Sequence, residues 1–123
     1  MRYNRPMTDD TALWRVEFYT DGRGRSPARD YLRSLSVDEQ AEAIRLLEML
    51  ERYGIAIGMP HARPIAGLWE LRPGANRFFY VAYTGRRFVV LHGYRKQSQA
   101  APAREIETAK RRWADFLDRE SNL

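Results

Sequence analysis

The sequence predicts an α+β domain. Its expected parts are an N-terminal strand, a helical hairpin, an antiparallel three-stranded meander and a C-terminal helix on a small sheet. Three observations carry this. An alternating run, WRVEFYT (14–20), precedes two segments of helical periodicity with clear N-terminal signals. Three short strand-like runs then follow one another across tight turns. A last amphipathic segment starts at Pro102. Helices and strands thus come in blocks rather than in alternation, which is the order of the α+β class.

Each element has its own local reason. In 14–20, Trp14, Val16 and Phe18 alternate with Arg15, Glu17 and Tyr19, the pattern of a half-buried strand. DGRGR (21–25) is a turn. SPARDYLRSL (26–35) offers Ser26 as N-cap and Pro27 at the first helical position. In 36–54 the signal repeats: Ser36 and Glu39 make a capping box, Val37, Ala41, Ile44, Leu47 and Leu50 make a stripe, and Gly54 closes the helix. The two segments form an αα-hairpin. GIAIGMPHARPIAG (54–67), rich in Gly and Pro, reads as a connector. LWELR (68–72) is a short strand. RFFYVAY (77–83) and RFVVLHG (87–93) meet through Thr84-Gly85-Arg86, and their continuous apolar runs suit interior strands covered on both faces. The final helix runs to about Arg119 and buries Ile106, Ala109, Trp113, Phe116 and Leu117. Residues 1–13 read as a loose extension of a single domain over 1–123.

Composition narrows the function. With no cysteine, disulfides and Cys-ligated zinc are excluded. No apolar run approaches the roughly 20 residues that span a bilayer, and the N-terminus lacks a signal-peptide core. A cytoplasmic protein without membrane contact is expected. The net charge is +5, but its distribution is more telling. Residues 1–60 balance nine Arg against ten Asp/Glu, whereas 61–112 carry eleven cations against Glu70, Glu105 and Glu107, a net +8. A basic excess confined to one half points to a polyanion or an acidic partner.

No HExxH, P-loop or GxSxG motif is present, and two histidines, His61 and His92, do not make a His-rich metal site. No cofactor is expected. What remains is cationic. Arg72 ends one strand and Arg77 begins the next, while Tyr94, Arg95 and Lys96 follow the third. In an antiparallel meander these positions return to one rim of the sheet. A convergent cation cluster can stabilise charge developing on phosphoryl oxygens. Tyr94 could move a proton or stack a base of single-stranded RNA. Taken singly, strand-end arginines are usually solvated, an apolar-strand His92 is more often a packing residue, and Trp69, Phe78, Phe79, Tyr80 and Phe88 are core. Arg104, Arg111 and Arg112 read as a solvated or partner-facing flank.

The pieces ELR (70–72), RFFY (77–80), LHGYRK (91–96), and Pro102 followed by EIETAKRR (105–112), in this order, resemble the phage-derived, HigB-like branch of the RelE/ParE toxin superfamily. The resemblance covers residues 67–112. It implies a toxin of a type II toxin–antitoxin pair, an endoribonuclease that cuts mRNA on the ribosome without a metal. It implies a small helix-turn-helix antitoxin as partner and a monomer in the antitoxin's absence. By the same resemblance the family's basic positions fall on Arg72, Arg77, Arg95 and Lys96, with Tyr94 in the aromatic place. Arg72, Arg77, Tyr94 and Lys96 are taken as the catalytic candidates, and Arg95, His92 and Arg104 as RNA-binding candidates. Where the family reads close to KKTxKTP after its aromatic residue, this chain has Lys96-Gln97-Ser98-Gln99-Ala100-Ala101-Pro102. Two cations are thereby lost at Gln97 and Ala100, and a threonine at Ala101. The competing readings are a non-catalytic relative that only binds an antitoxin or nucleic acid through its basic face, and a ParE-type gyrase inhibitor.

Overall fold

A computed structural model describes residues 13–99 and 102–122; residues 1–12 of the extension expected over 1–13 and the departures at Ala100 and Ala101 lie outside it. The chain order is β1 (Arg15–Phe18), α1 (Pro27–Ser34), α2 (Val37–Tyr53), a short 3-10 turn, β2 (Ala62–Ile65), β3 (Leu68–Leu71), β4 (Asn76–Tyr83), β5 (Arg87–Arg95) and α3 (Ala103–Ser121). The five strands form one sheet in the order β1-β5-β4-β3-β2. β2 to β5 pair antiparallel, and β1 adds parallel to β5.

The α+β class is as expected, but the meander has four strands and not three. The missed strand, β2, lies inside the segment read as a connector. Pro64 hid it, because proline removes a ladder donor and is tolerated only at sheet edges. β2 is such an edge. The opposite edge, β1, is closed by α2: the Val16 amide donates to Glu51 Oε2 at 3.1 Å and the Trp14 amide to the Glu51 carbonyl at 3.1 Å. Glu51 is consequently buried.

Helices cover both faces. On one, Leu32, Leu35, Ala43, Leu46, Leu47 and Leu50 pack on Phe78, Tyr80, Phe88 and Val90. On the other, Ala109 and Phe116 of α3, flanked by Ile106 and Trp113, pack on Phe79, Val81, Val89 and Leu91. The stripe expected on α2 is corrected here. Val37 is 82% exposed, whereas Ala43, Leu46, Leu47 and Leu50 are buried. Their i, i+3, i+4, i+7 spacing fits the helical period better than the expected set. Leu117 is likewise exposed. The Ser36 cap forms, its hydroxyl accepting from the Glu39 amide at 3.2 Å. Ser26 does not cap α1; its hydroxyl donates to the Tyr19 carbonyl at 2.9 Å. Gly54 has φ +58°, and a Cβ there would run into the Trp14 indole. No helix among the described residues is long and apolar enough to cross a membrane.

One irregularity decides what faces the site. Phe79 pairs with His92 but Tyr80 pairs with Val90, so Leu91 is an extra residue in β5. Such a bulge breaks the two-residue alternation. Leu91 and His92 therefore both face α3, Tyr94 follows on that face, and Arg95 turns to the other.

Candidate active site

At the end of the sheet where β3 turns into β4 and β5 ends, Arg63, Glu70, Arg72, Arg77, Tyr94, Lys96, Ser98 and Gln99 line a cavity of about 110 Å³. Strand register assembles it. Arg63 faces Glu70 across β2–β3, Glu70 faces Phe79 across β3–β4, and Arg77 faces Tyr94 across β4–β5. Arg72 follows Glu70 by two residues and so shares its face. The Lys96 amide donates to the Ala75 carbonyl at 2.8 Å, which fastens the start of the last loop to the β3–β4 turn. Four cations and one carboxylate thus share a space well below the roughly 300 Å³ at which small-molecule pockets begin. It suits a phosphate group, not a nucleoside.

Arg77 is the most constrained cation. It is 6% exposed, and its Nη1 donates to the carbonyls of Gly74 at 2.7 Å and Asn76 at 2.8 Å. Burial, and then the neighbouring Arg72, lower its pKa from the ordinary value; a guanidinium stays charged at neutral pH regardless. Arg72 is looser. Nη1 contacts the Met59 sulfur at 3.8 Å, and Nε is buried with no hydrogen-bond acceptor among the described residues. Lys96 is partly exposed and, among the described residues, makes no ion pair.

Tyr94 is buried, with its ring tilted against Phe79 and stacked on His92. The base-stacking role expected for it has no open ring face to use. Its hydroxyl lies 3.5 Å from Glu70 Oε2, and burial, reinforced by the Glu70 charge, pushes its pKa up to about 12. It stays a neutral hydrogen-bond donor at physiological pH.

The three remaining candidates do not join the cavity. Arg95, sent to the opposite face by the bulge, pairs with Glu39 at 2.6 Å. His92 lies under α3, with Nε2 2.5 Å from Glu105 and Nδ1 3.0 Å from Arg112. Arginine only donates, so Nδ1 accepts and Nε2 carries the proton given to Glu105. Burial foremost depresses the His92 pKa, consistent with a neutral ring. Arg104 is exposed on the first turn of α3.

Four lining residues, Arg63, Glu70, Ser98 and Gln99, are not among the residues the sequence singles out. Arg63 sits on the unrecognised β2. Glu70 is the sole carboxylate between Arg52 and Arg104. A lone acid in a cationic stretch was the available signal.

Behind the cavity, the buried Asn76 ties the hairpin to the helices. The Tyr31 hydroxyl donates to its side-chain oxygen, and its Nδ2 donates to Glu39 Oε2 at 3.3 Å. The same Glu39 carboxylate receives Arg95, so α1, α2, β4 and β5 are fastened at one point.

Sheet and helical layers make a small α+β protein, and its likeness to a solved structure gives it a RelE-like fold. Residues 30–114 match the family described as phage-derived protein Gp49-like (DUF891), and the chain belongs to that family. Among solved structures it is similar to a chain of the toxin–antitoxin complex RelBE2 from Mycobacterium tuberculosis. The TM-score is 0.50 at 24% identity, with 68% of this chain and 98% of that chain covered. A comparison with curated proteins finds no match.

Proposed function

We propose that this protein is the toxin of a toxin–antitoxin pair and that it cuts RNA at the Arg72–Arg77–Lys96 cavity. The observation that carries the reading is the convergence of those three cations with the Tyr94 hydroxyl in a space sized for one phosphate. Family membership and the likeness to a chain of a toxin–antitoxin complex support the toxin part. The partner is then an antitoxin, of the helix-turn-helix type by the sequence resemblance, and the isolated toxin is a cytoplasmic monomer.

The chemistry follows from the geometry. A 2′-hydroxyl attacks the adjacent phosphorus, negative charge builds on the non-bridging oxygens, and the 5′-oxygen leaves with a proton. Arg77, fixed by two carbonyls, meets the developing charge without having to reorganise. Arg72 brings a second guanidinium, and Lys96 a partly exposed ammonium. Tyr94, protonated, donates a hydrogen bond to the transition state or to the leaving oxygen. The ribosome would present one mRNA phosphate at a time to so small a site.

Gln97, exposed where the sequence resemblance implies a lysine, favours a second reading: a relative that binds but does not cut. One experiment separates the two. Primer extension is run on mRNA in a reconstituted translation reaction, with wild type and Arg77→Ala. Cuts that need translating ribosomes and vanish in the variant are the expected result. Intact mRNA with folded wild-type protein would leave only the binding reading.

A further inference from the structure

The cavity holds one carboxylate that the proposed reaction does not use. Glu70 is 1% exposed, and a buried charge is costly unless it is paired. Its partners are unequal. Arg63 Nε donates to Glu70 Oε1 at 2.8 Å, whereas the Nε atoms of Arg72 and Arg77 stop 3.7 and 3.9 Å from the same oxygen. The last two distances lie outside hydrogen-bond range. The arginines therefore divide: Arg63 is committed to the carboxylate, while Arg72 and Arg77 feel its charge without donating to it. The Arg72 Nε proton, buried and without an acceptor, has nowhere else to go. An anion that reaches Arg72 and Arg77 must compete with the Glu70 charge for them. How strongly Glu70 resists depends on how firmly Arg63 occupies it.

We infer that Glu70 is a built-in competitor of phosphate for Arg72 and Arg77, and that Arg63 is the positioning residue that restrains this competitor. The inference rests on the reading of the cavity as a phosphate site. It fixes a sign that a purely structural role would not. Loss of the buried carboxylate charge strengthens anion binding, because phosphate then becomes the only counter-ion for two crowded guanidinium groups. Loss of Arg63 weakens it, because the released Glu70 oxygen captures the neighbouring donors.

The test is a titration of inorganic phosphate into the full chain at fixed ionic strength near pH 7, followed by calorimetry. Wild type, Glu70→Gln, Arg63→Gln and the double variant are compared, each checked for folding by circular dichroism. Glu70→Gln should tighten phosphate binding about tenfold, and Arg63→Gln should weaken it about tenfold. In the Glu70→Gln background the Arg63→Gln penalty should shrink to about threefold or less, the residue of a screened charge. Should Glu70→Gln not fold, the arginine Nε–H signals of the wild type decide the question. Phosphate should shift those of Arg72 and Arg77 and leave that of Arg63 in place. Equal penalties in both backgrounds, a Glu70→Gln variant that binds no tighter, or a shift at Arg63 would overturn the inference and leave the phosphate site standing. Folded wild-type protein that binds no phosphate would overturn both.

Discussion

At the scale of single residues, Arg77 and Tyr94 do different work from the same register pair. Arg77 spends one guanidinium nitrogen on two turn carbonyls, which leaves the remaining donors aimed by a fixed scaffold. Lysine cannot do both, because its ammonium is a single point charge. Arg77→Lys should therefore lose about 100-fold or more in cleavage rate, the usual scale for a removed oxyanion donor, with its melting profile little changed. Single-turnover cleavage beside thermal unfolding reads both quantities. Tyr94 leads to a statement about pH. Its folded pKa of about 12 exceeds the ordinary tyrosine value, so the folded state holds a proton that the unfolded state releases first. Its contribution to stability is complete below about pH 10 and fades as pH rises from there toward 12. Alkaline unfolding of Tyr94→Phe should accordingly show a shallower pH dependence than wild type over that window. Cleavage near neutral pH should show no rising limb that depends on Tyr94.

At the scale of elements, most of the fold was legible because patterning and punctuation agreed. Ser36 and Gly54 bracket α2 as their chemistry demands, and the aromatic runs of β4 and β5 are buried on both faces. Illegible parts had physical causes. β2 carries a proline and only four residues, which edge strands tolerate and sequence patterns do not reveal. The bulge at Leu91 depends on pairing between strands, which no single segment records. Topology alone brings Arg72, Arg77, Tyr94, Arg95 and Lys96 to one end of the sheet, whereas the face each β5 residue takes there, Tyr94 and His92 on one side and Arg95 on the other, is set by that bulge. His92 locks the bulge to α3 through Glu105 and Arg112, with Arg111 adding to the positive field. Its pKa is depressed, so its contribution to stability is complete above about pH 6.5 and declines as pH falls below that value. Thermal unfolding of wild type at pH 7.5 and 5.5 should differ more than that of His92→Asn. Gly93, on the opposite face, shows how tightly α1 is packed: a Cβ there would meet Tyr31 at 2.7 Å and Phe78 at 2.8 Å. Gly93→Ala should cost about 1–3 kcal/mol by overpacking, measurable as a lowered denaturant midpoint.

At the scale of the whole molecule, charge divides between the two halves of the chain. The net +8 of residues 61–112 maps to the meander and the first half of α3, while the balanced first half supplies β1 and the helical hairpin. Under the proposed function, the surface that meets a polyanion is the end where four strands and one loop meet, and the balanced hairpin supports it. A single strand of RNA crossing that end releases counterions in proportion to the phosphates it neutralises, with a log–log salt slope of about −0.7 per contact. Contacts at Arg72, Arg77 and Lys96 alone should give a slope of about −2. Each charge removed from the cavity should reduce the slope by about 0.7, whereas Arg95→Gln, already neutralised by Glu39 on the other face, should change it far less. Fluorescence anisotropy with a short unstructured RNA between low and moderate salt measures this directly. A flat dependence would show that the strand does not run through the cavity. An equal loss on Arg95→Gln and Lys96→Gln would show that RNA reads both faces of the sheet end, and the bulge would no longer separate the RNA-facing side from its support.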